Sequence, residues 1–136
     1  MVRLIMSGKG EGKTKQLMEL MNTAAETETG CMVCIEASHN ISFNLRHQTR
    51  MIDAAEYQLH DFDTLRGFIS GLYAGNYDIS NVFIDNLGNI VKNPDVHDLE
   101  DFLQWMDGFG EKNGIKFTAT LSGDPSTATD VMRRYL

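Results

Sequence analysis

The chain has 136 residues, 42% hydrophobic and 23% charged, with two prolines and two cysteines. That length suits one domain, because two separate cores would each sit near the lower size limit for independent folding. Twelve Lys and Arg stand against 19 Asp and Glu, a formal charge of -7. That is the wrong sign for coating nucleic acid or adhering to an anionic membrane, so neither is expected as a partner.

In chain order, Val2 to Met6 is a compact apolar run that ends in glycine and lysine, too short for a secretory signal. From Lys13 to about Glu28, residues Leu17, Leu20, Met21 and Ala24 recur at helical spacing, and Gly30 stops the helix they predict. Cys31 to Ile35 (CMVCI) is continuously apolar, as a strand covered on both faces would be. Its two cysteines make no disulfide framework, and both are expected to be buried apolar residues. Residues 37–60 are the least regular. Ile41, Phe43 and Leu45 alternate there and Met51-Ile52 suits a short strand, so a hairpin or a sheet-edge excursion is expected. Asp61 reads as an N-cap, and Leu65, Phe68, Ile69, Leu72 and Tyr73 form a helical stripe that Gly75-Asn76 ends. Val82-Phe83-Ile84 is another fully apolar strand, closing on Asp85. Asp98 reads as the cap of a third helix with Leu99, Phe102, Leu103 and Met106 on one face. Ile115 to Leu121 (IKFTATL) predicts a strand, and Ser126 to Leu136 a short terminal helix. No run reaches the roughly 18 apolar residues of a membrane span, and a cytoplasmic protein without a membrane partner is expected.

Strands separated by helices of this length predict βα units. The expected fold is α/β, three-layered, with a mainly parallel sheet of four or five strands, helices on both faces, and one domain over residues 1–136. Right-handed crossovers bring the carboxyl end of every strand to one edge. Ser7 to Thr14, Glu36, Asp85-Asn86 and Ser122 to Asp124 become neighbours there, and a ligand is expected at that edge.

Met6 to Thr14 (MSGKGEGKT) follows a strand and opens a helix, the context a phosphate-binding loop requires. Glycines let several N–H groups turn into one concavity, and the first helical turn adds unpaired N–H groups and the positive end of its dipole. Lys13 would reach the β- and γ-phosphates. Thr14 would offer a hydroxyl to Mg²⁺, a hard cation that keeps most of its waters and takes phosphate oxygens as ligands. The expected nucleotide-binding residues are Gly8, Lys9, Gly10, Glu11, Gly12, Lys13, Thr14 and Lys15. This segment resembles the Walker A motif of the P-loop NTPases with one departure: Ser7 stands at the first glycine, with Gly8 beside it. Serine serves there if the first turn does not need positive φ. Asn81 to Asp85 (NVFID) looks like a Walker B strand, whose terminal aspartate would hold Mg²⁺ beside the phosphates. Thr14 and Asp85 are therefore the expected metal-side residues.

Over nearly its whole length the chain resembles short bacterial P-loop proteins described as ATP-binding or twitching-motility-ATPase-like. The resemblance runs through GKGEGKTKQLMEL, CMVCIEAS, RMIDAAEY, GFISGLYAGNYDISNVFIDN and KFTATLSGDP. It implies ATP or GTP with Mg²⁺ as ligands. In NTPases with an additional strand between the two Walker strands, Ile115–Leu121 would lie there, giving the order 1-4-3-2 for the four apolar strands. Thr120 or Ser122 would then stand near the γ-phosphate.

Hydrolysis also needs a group that orients or activates water. Asn86, after Asp85, can orient a water but not accept its proton. Glu36, ending CMVCI, matches the position of the glutamate in recombinase-like and rotary ATPases. Lys13, Glu36 and Asn86 are thus the expected catalytic residues. Arg46, Arg50, Arg133 and Arg134 are the candidate arginine fingers, and a second copy of the chain or another protein is an expected partner. The leading reading is an ATP-binding protein with slow or partner-stimulated hydrolysis. The alternatives are a kinase of small nucleoside-like substrates and a nucleotide-binding switch without turnover.

Overall fold

A computed structural model describes residues 1–37 and 49–136. Five strands, β1 (Val2–Ser7), β2 (Cys31–Glu36), β3 (Thr49–Asp53), β4 (Ile79–Asp85) and β5 (Lys116–Ser122), form one sheet in the order β1-β5-β4-β2-β3. Every neighbouring pair is parallel. Among the described residues, five helices accompany it: α1 (Lys13–Thr27), α2 (Phe62–Gly75), α3 (Leu87–Ile90), α4 (Val96–Asn113) and α5 (Asp130–Arg133). No helix among the described residues is long and apolar enough to cross a membrane.

Alternation along parallel strands divides the side chains between two layers. Register puts Cys34 beside Phe83 and Met32 beside Asn81, and Met32, Cys34 and Phe83 pack with Leu17 and Met21 of α1. The intervening residues Val33, Ile35, Val82, Ile84, Phe117 and Ala119 join the larger core with Leu65 and Ile69 of α2 and Phe102, Leu103 and Met106 of α4. One face thus carries α1 and the other α2 and α4, with the sheet between them. The register also answers the polar alternation of β5. Phe83 pairs with Thr118, so Thr118 and Thr120 point to the α1 face, where they are buried, while Phe117, Ala119 and Leu121 point to the larger core.

β5 lies between β1 and β4, and β4 beside β2, as expected for the four apolar strands. Thr49–Asp53, which contains Met51-Ile52, is a strand at the sheet edge, parallel to β2, as the sheet-edge alternative expected. Ile41, Phe43 and Leu45, on which the hairpin alternative rested, fall outside the described residues. Three other local expectations are corrected. α4 begins one turn earlier than expected: Asp95, not Asp98, caps it, its carboxylate accepting from the backbone N–H groups of His97 and Asp98. Asp98 lies in the first turn, where its charge suits the helix dipole. The C-terminal segment is not one helix but a 3₁₀ turn, Pro125–Thr127, followed by the four-residue α5, because Thr129 starts a new cap. Of the two cysteines expected to be buried, Cys34 is, but Cys31 is exposed, because it stands at the very start of β2 where the strand leaves the packed layers.

Candidate functional site

The carboxyl ends of β1, β4 and β5 meet at a cleft of about 320 Å³. Its lining is Lys9, Gly10, Gly12, Lys13, Thr14, Asp85, Asn86, Thr120 and Ser122. Between β1 and α1 the chain turns through a loop in which Gly10 (φ 81°) and Gly12 (φ 85°) are left-handed. Both positions face open space, with no heavy atom within 4 Å of where a Cβ would stand. A side chain there would be strained by the backbone and would project into the concavity. Ser7 ends β1 and needs no positive φ, so serine is accommodated.

Lys13 is the first residue of α1 and is only 7% exposed. Its ammonium donates to the Gly8 carbonyl at 2.9 Å, folding over the loop. The Gly8 N–H donates to the Glu11 carboxylate at 3.0 Å. Thr14, one residue on, donates its hydroxyl to Asp85, with Oγ1 3.2 Å from Oδ2 and 3.4 Å from Oδ1. Asp85, 3% exposed, also accepts from the Thr120 hydroxyl at 2.9 Å. Thr120 in turn accepts the backbone N–H of Asn86 at 2.7 Å. Three elements distant in sequence are thereby tied through one carboxylate: the start of α1, the end of β4 and the end of β5. Asn86 turns the chain away from β4 in the left-handed conformation (φ 62°) and caps α3.

Glu36 ends β2, in register with Asp85 on one side and Asp53 of β3 on the other. All three carboxylates are more than nine-tenths buried on the α1 face. Cys34, two residues before Glu36 on the same face, reports this field. Burial pushes its thiol upward, and the Asp85 and Glu36 carboxylates push it further.

Of the residues expected at a nucleotide site, Lys9, Gly10, Gly12, Lys13, Thr14, Asp85 and Asn86 line the cleft. Gly8 and Glu11 do not line it but are joined by a hydrogen bond across the loop, and Lys15 is exposed further along α1, outside the lining. Glu36 is beside Asp85 in the sheet but does not line the cleft. Arg46 lies outside the described residues. Arg50, Arg133 and Arg134 are exposed, with Arg133 paired to Asp130 at 2.9 Å, and among the described residues no arginine lines the cleft. Thr120 and Ser122, the alternatives expected near the ligand, both line the cleft, but the bridge that the Thr120 hydroxyl makes between Asp85 and the backbone of Asn86 was not expected. The polar alternation in KFTATLS was the available signal. No protein-family model matches the chain, and no curated protein matches it either.

Proposed function

We propose that the chain is a P-loop nucleotide-binding domain that takes the phosphates of ATP or GTP, with Mg²⁺, in the cleft beneath Lys9–Thr14. The observation that carries this reading is the convergence of Lys13, Thr14 and Asp85. One ammonium, one hydroxyl and one buried carboxylate from opposite halves of the sequence meet at the mouth of a loop whose glycines leave a concavity open. Backbone N–H groups and a mobile ammonium suit phosphate oxygens.

The donor chemistry fits Mg²⁺, because a threonine hydroxyl and an aspartate carboxylate are hard oxygen ligands. Among the described residues no group of three or more His, Cys, Asp or Glu is disposed to hold a metal, so phosphate and water would supply the other positions. When bound, the ion neutralises charge on the β- and γ-phosphates. The chain's own part is binding and orientation. Lys13 would leave the Gly8 carbonyl for phosphate oxygens, and Thr14 and Asp85 would turn toward the ion. Thr120 keeps Asp85 in place from below.

Asn86 at the cleft is an amide that positions a water without taking its proton, which supports slow turnover or binding without turnover. Glu36, beside Asp85 in the sheet but outside the lining, is the proposed base if hydrolysis occurs. An arginine from a partner or a second copy would add charge stabilisation in the transition state. A cytoplasmic setting belongs to the same reading.

The test is thermal unfolding with and without Mg-ATP and Mg-GTP. A native-specific ligand at a hundred times its Kd adds about 2.7 kcal/mol, a rise of several degrees, and Lys13→Ala is expected to abolish it. If neither nucleotide moves the midpoint at millimolar concentration, the reading fails. Phosphate release, compared between the native chain and Glu36→Gln, separates an ATPase from a binding module.

A further inference from the structure

A second cavity of about 380 Å³ opens beside the phosphate cleft and shares Asn86 and Ser122 with it. Its volume lies within the ~300–1,000 Å³ range of small-molecule sites. Leu99, Leu121 and Met132 are buried core residues and, with Met6, supply apolar walls from α4, β5, α5 and β1. Three asparagines bring neutral amides to it, Asn86 half-buried and Asn89 and Asn93 exposed to solvent. Among the described residues, those three amides make no side-chain hydrogen bond, and each offers both donors and an acceptor. No Asp, Glu, Lys, Arg or His lines this cavity.

We propose that this cavity binds a neutral nitrogen heterocycle, a nucleobase or nucleoside. A charged ligand would shed part of its hydration against the apolar walls and meet no opposite charge in the lining. A purely apolar ligand would displace water from the amides without replacing its hydrogen bonds. A heterocycle answers both conditions: its faces lie against Leu and Met side chains and its edge carries donors and acceptors for the asparagines. Methionine sulfur favours aromatic rings, and Met6 and Met132 both line the space. The cavity stands on its own lining. Its place beside the terminal phosphate rests on the reading of Asp85 as the metal-side residue, since Asn86 follows Asp85 directly. Two sources share this chemistry: the base of the nucleotide itself, and a separate nucleoside held next to the phosphates.

The experiment uses the full chain with methyl-labelled methionine, titrated with adenosine and thymidine and, separately, with Mg-ATP. The expected result is a saturable shift of the Met6 and Met132 methyl signals, with Met21, buried under α1, unmoved. Gly88→Leu projects a side chain over Leu121, since a Cβ at Gly88 would stand 3.8 Å from its Cδ1, an ordinary contact distance. That variant is expected to weaken heterocycle binding by about tenfold or more while Mg-tripolyphosphate still binds. Competition between adenosine and Mg-ATP identifies the nucleotide's own base as occupant, whereas simultaneous binding identifies a second ligand. If neither methyl signal moves with either nucleoside or Mg-ATP, or if Gly88→Leu leaves heterocycle affinity unchanged, the proposal is overturned. Failure of the phosphate reading looks different: Mg-tripolyphosphate would then show no Lys13-dependent binding, whatever the nucleosides do.

Discussion

Asp85 is the residue at which the start of α1 and the end of β5 are joined to β4. Its carboxylate accepts from Thr14 and Thr120, and Thr120 also satisfies the N–H of Asn86, so one buried hydroxyl serves a donor and an acceptor at once. Thr120→Val, nearly the same shape, removes both bonds and leaves the Asn86 N–H and an Asp85 oxygen without that partner. A loss of about 1–3 kcal/mol in urea unfolding is expected, because the cost of an unmade buried hydrogen bond exceeds its net worth when made. The cysteines are expected to divide as their surroundings differ. Cys31 is exposed and reacts with a thiol reagent in the native protein. Cys34 is enclosed and held as the neutral thiol by burial and by Asp85 and Glu36, so it reacts only on unfolding. A thiol count of two in the native state at neutral pH would contradict this. Thr14, Lys13 and Asp85 were legible as residue types at characteristic places. That Thr14 touches Asp85 was not, because nothing local in a strand ending determines which loop lies opposite.

Helix ends and helix-strand contacts decide the next scale. Asp61 caps α2 through a reciprocal pair of bonds: its carboxylate accepts the Thr64 N–H at 2.7 Å, and the Thr64 hydroxyl accepts the Asp61 N–H at 3.2 Å. The Thr64 backbone N–H holds the Asp61 carboxyl below its ordinary value near 3.8. A depressed folded pKa contributes stability that is present above 3.8 and disappears as pH falls through the folded value. Asp61→Ala is therefore expected to lower the thermal midpoint at neutral pH, with the difference from the native chain shrinking as pH falls from 3.8 through the folded value. Within α4 two glycines behave oppositely. A Cβ at Gly110 would stand 2.5 Å from the Ile115 carbonyl and 3.3 Å from the Phe117 ring, so Gly110→Ala forces α4 off β5 and costs about 1–3 kcal/mol. Gly108 meets nothing within 4 Å, and Gly108→Ala stabilises the helix by about 0.5–1 kcal/mol. Chemical denaturation of the two variants checks the sign of each. The Asp61 cap was readable because a helical stripe follows it at once. The Asp95 cap was obscured by Asp98, a second residue with capping chemistry one turn later, and only the backbone bonds to His97 and Asp98 distinguish them.

At the scale of the molecule, the arrangement of strands makes the cleft. β1 and β4 do not touch as neighbours; β5 enters between them and sets the spacing across which Thr14 reaches Asp85. Its exit is fastened to that of β1 by the Gly123 N–H donating to the Ser7 carbonyl at 2.9 Å. Prediction at this scale concerns ligand linkage. If Lys13, Thr14 and Asp85 act as one phosphate and metal site, Asp85→Ala and Lys13→Ala each remove the Mg-ATP rise in thermal midpoint, and combining them removes no more than either alone. Additive losses would instead describe two separate sites. By itself, the sequence determined the α/β class, the apolar strands, the helix faces and the loop at Ser7–Thr14, because each follows from side-chain periodicity or local backbone freedom over a few residues. Only the tertiary structure decided that Thr49–Asp53 pairs parallel to β2, that Thr120 supports Asp85, and that Glu36 stands beside Asp85 without lining the cleft. It also produced the neutral cavity shared among α3, α4, α5 and β5. Those features come from pairing register and crossover packing between residues far apart in the chain, where the free energy lies in contacts that no short stretch of sequence contains.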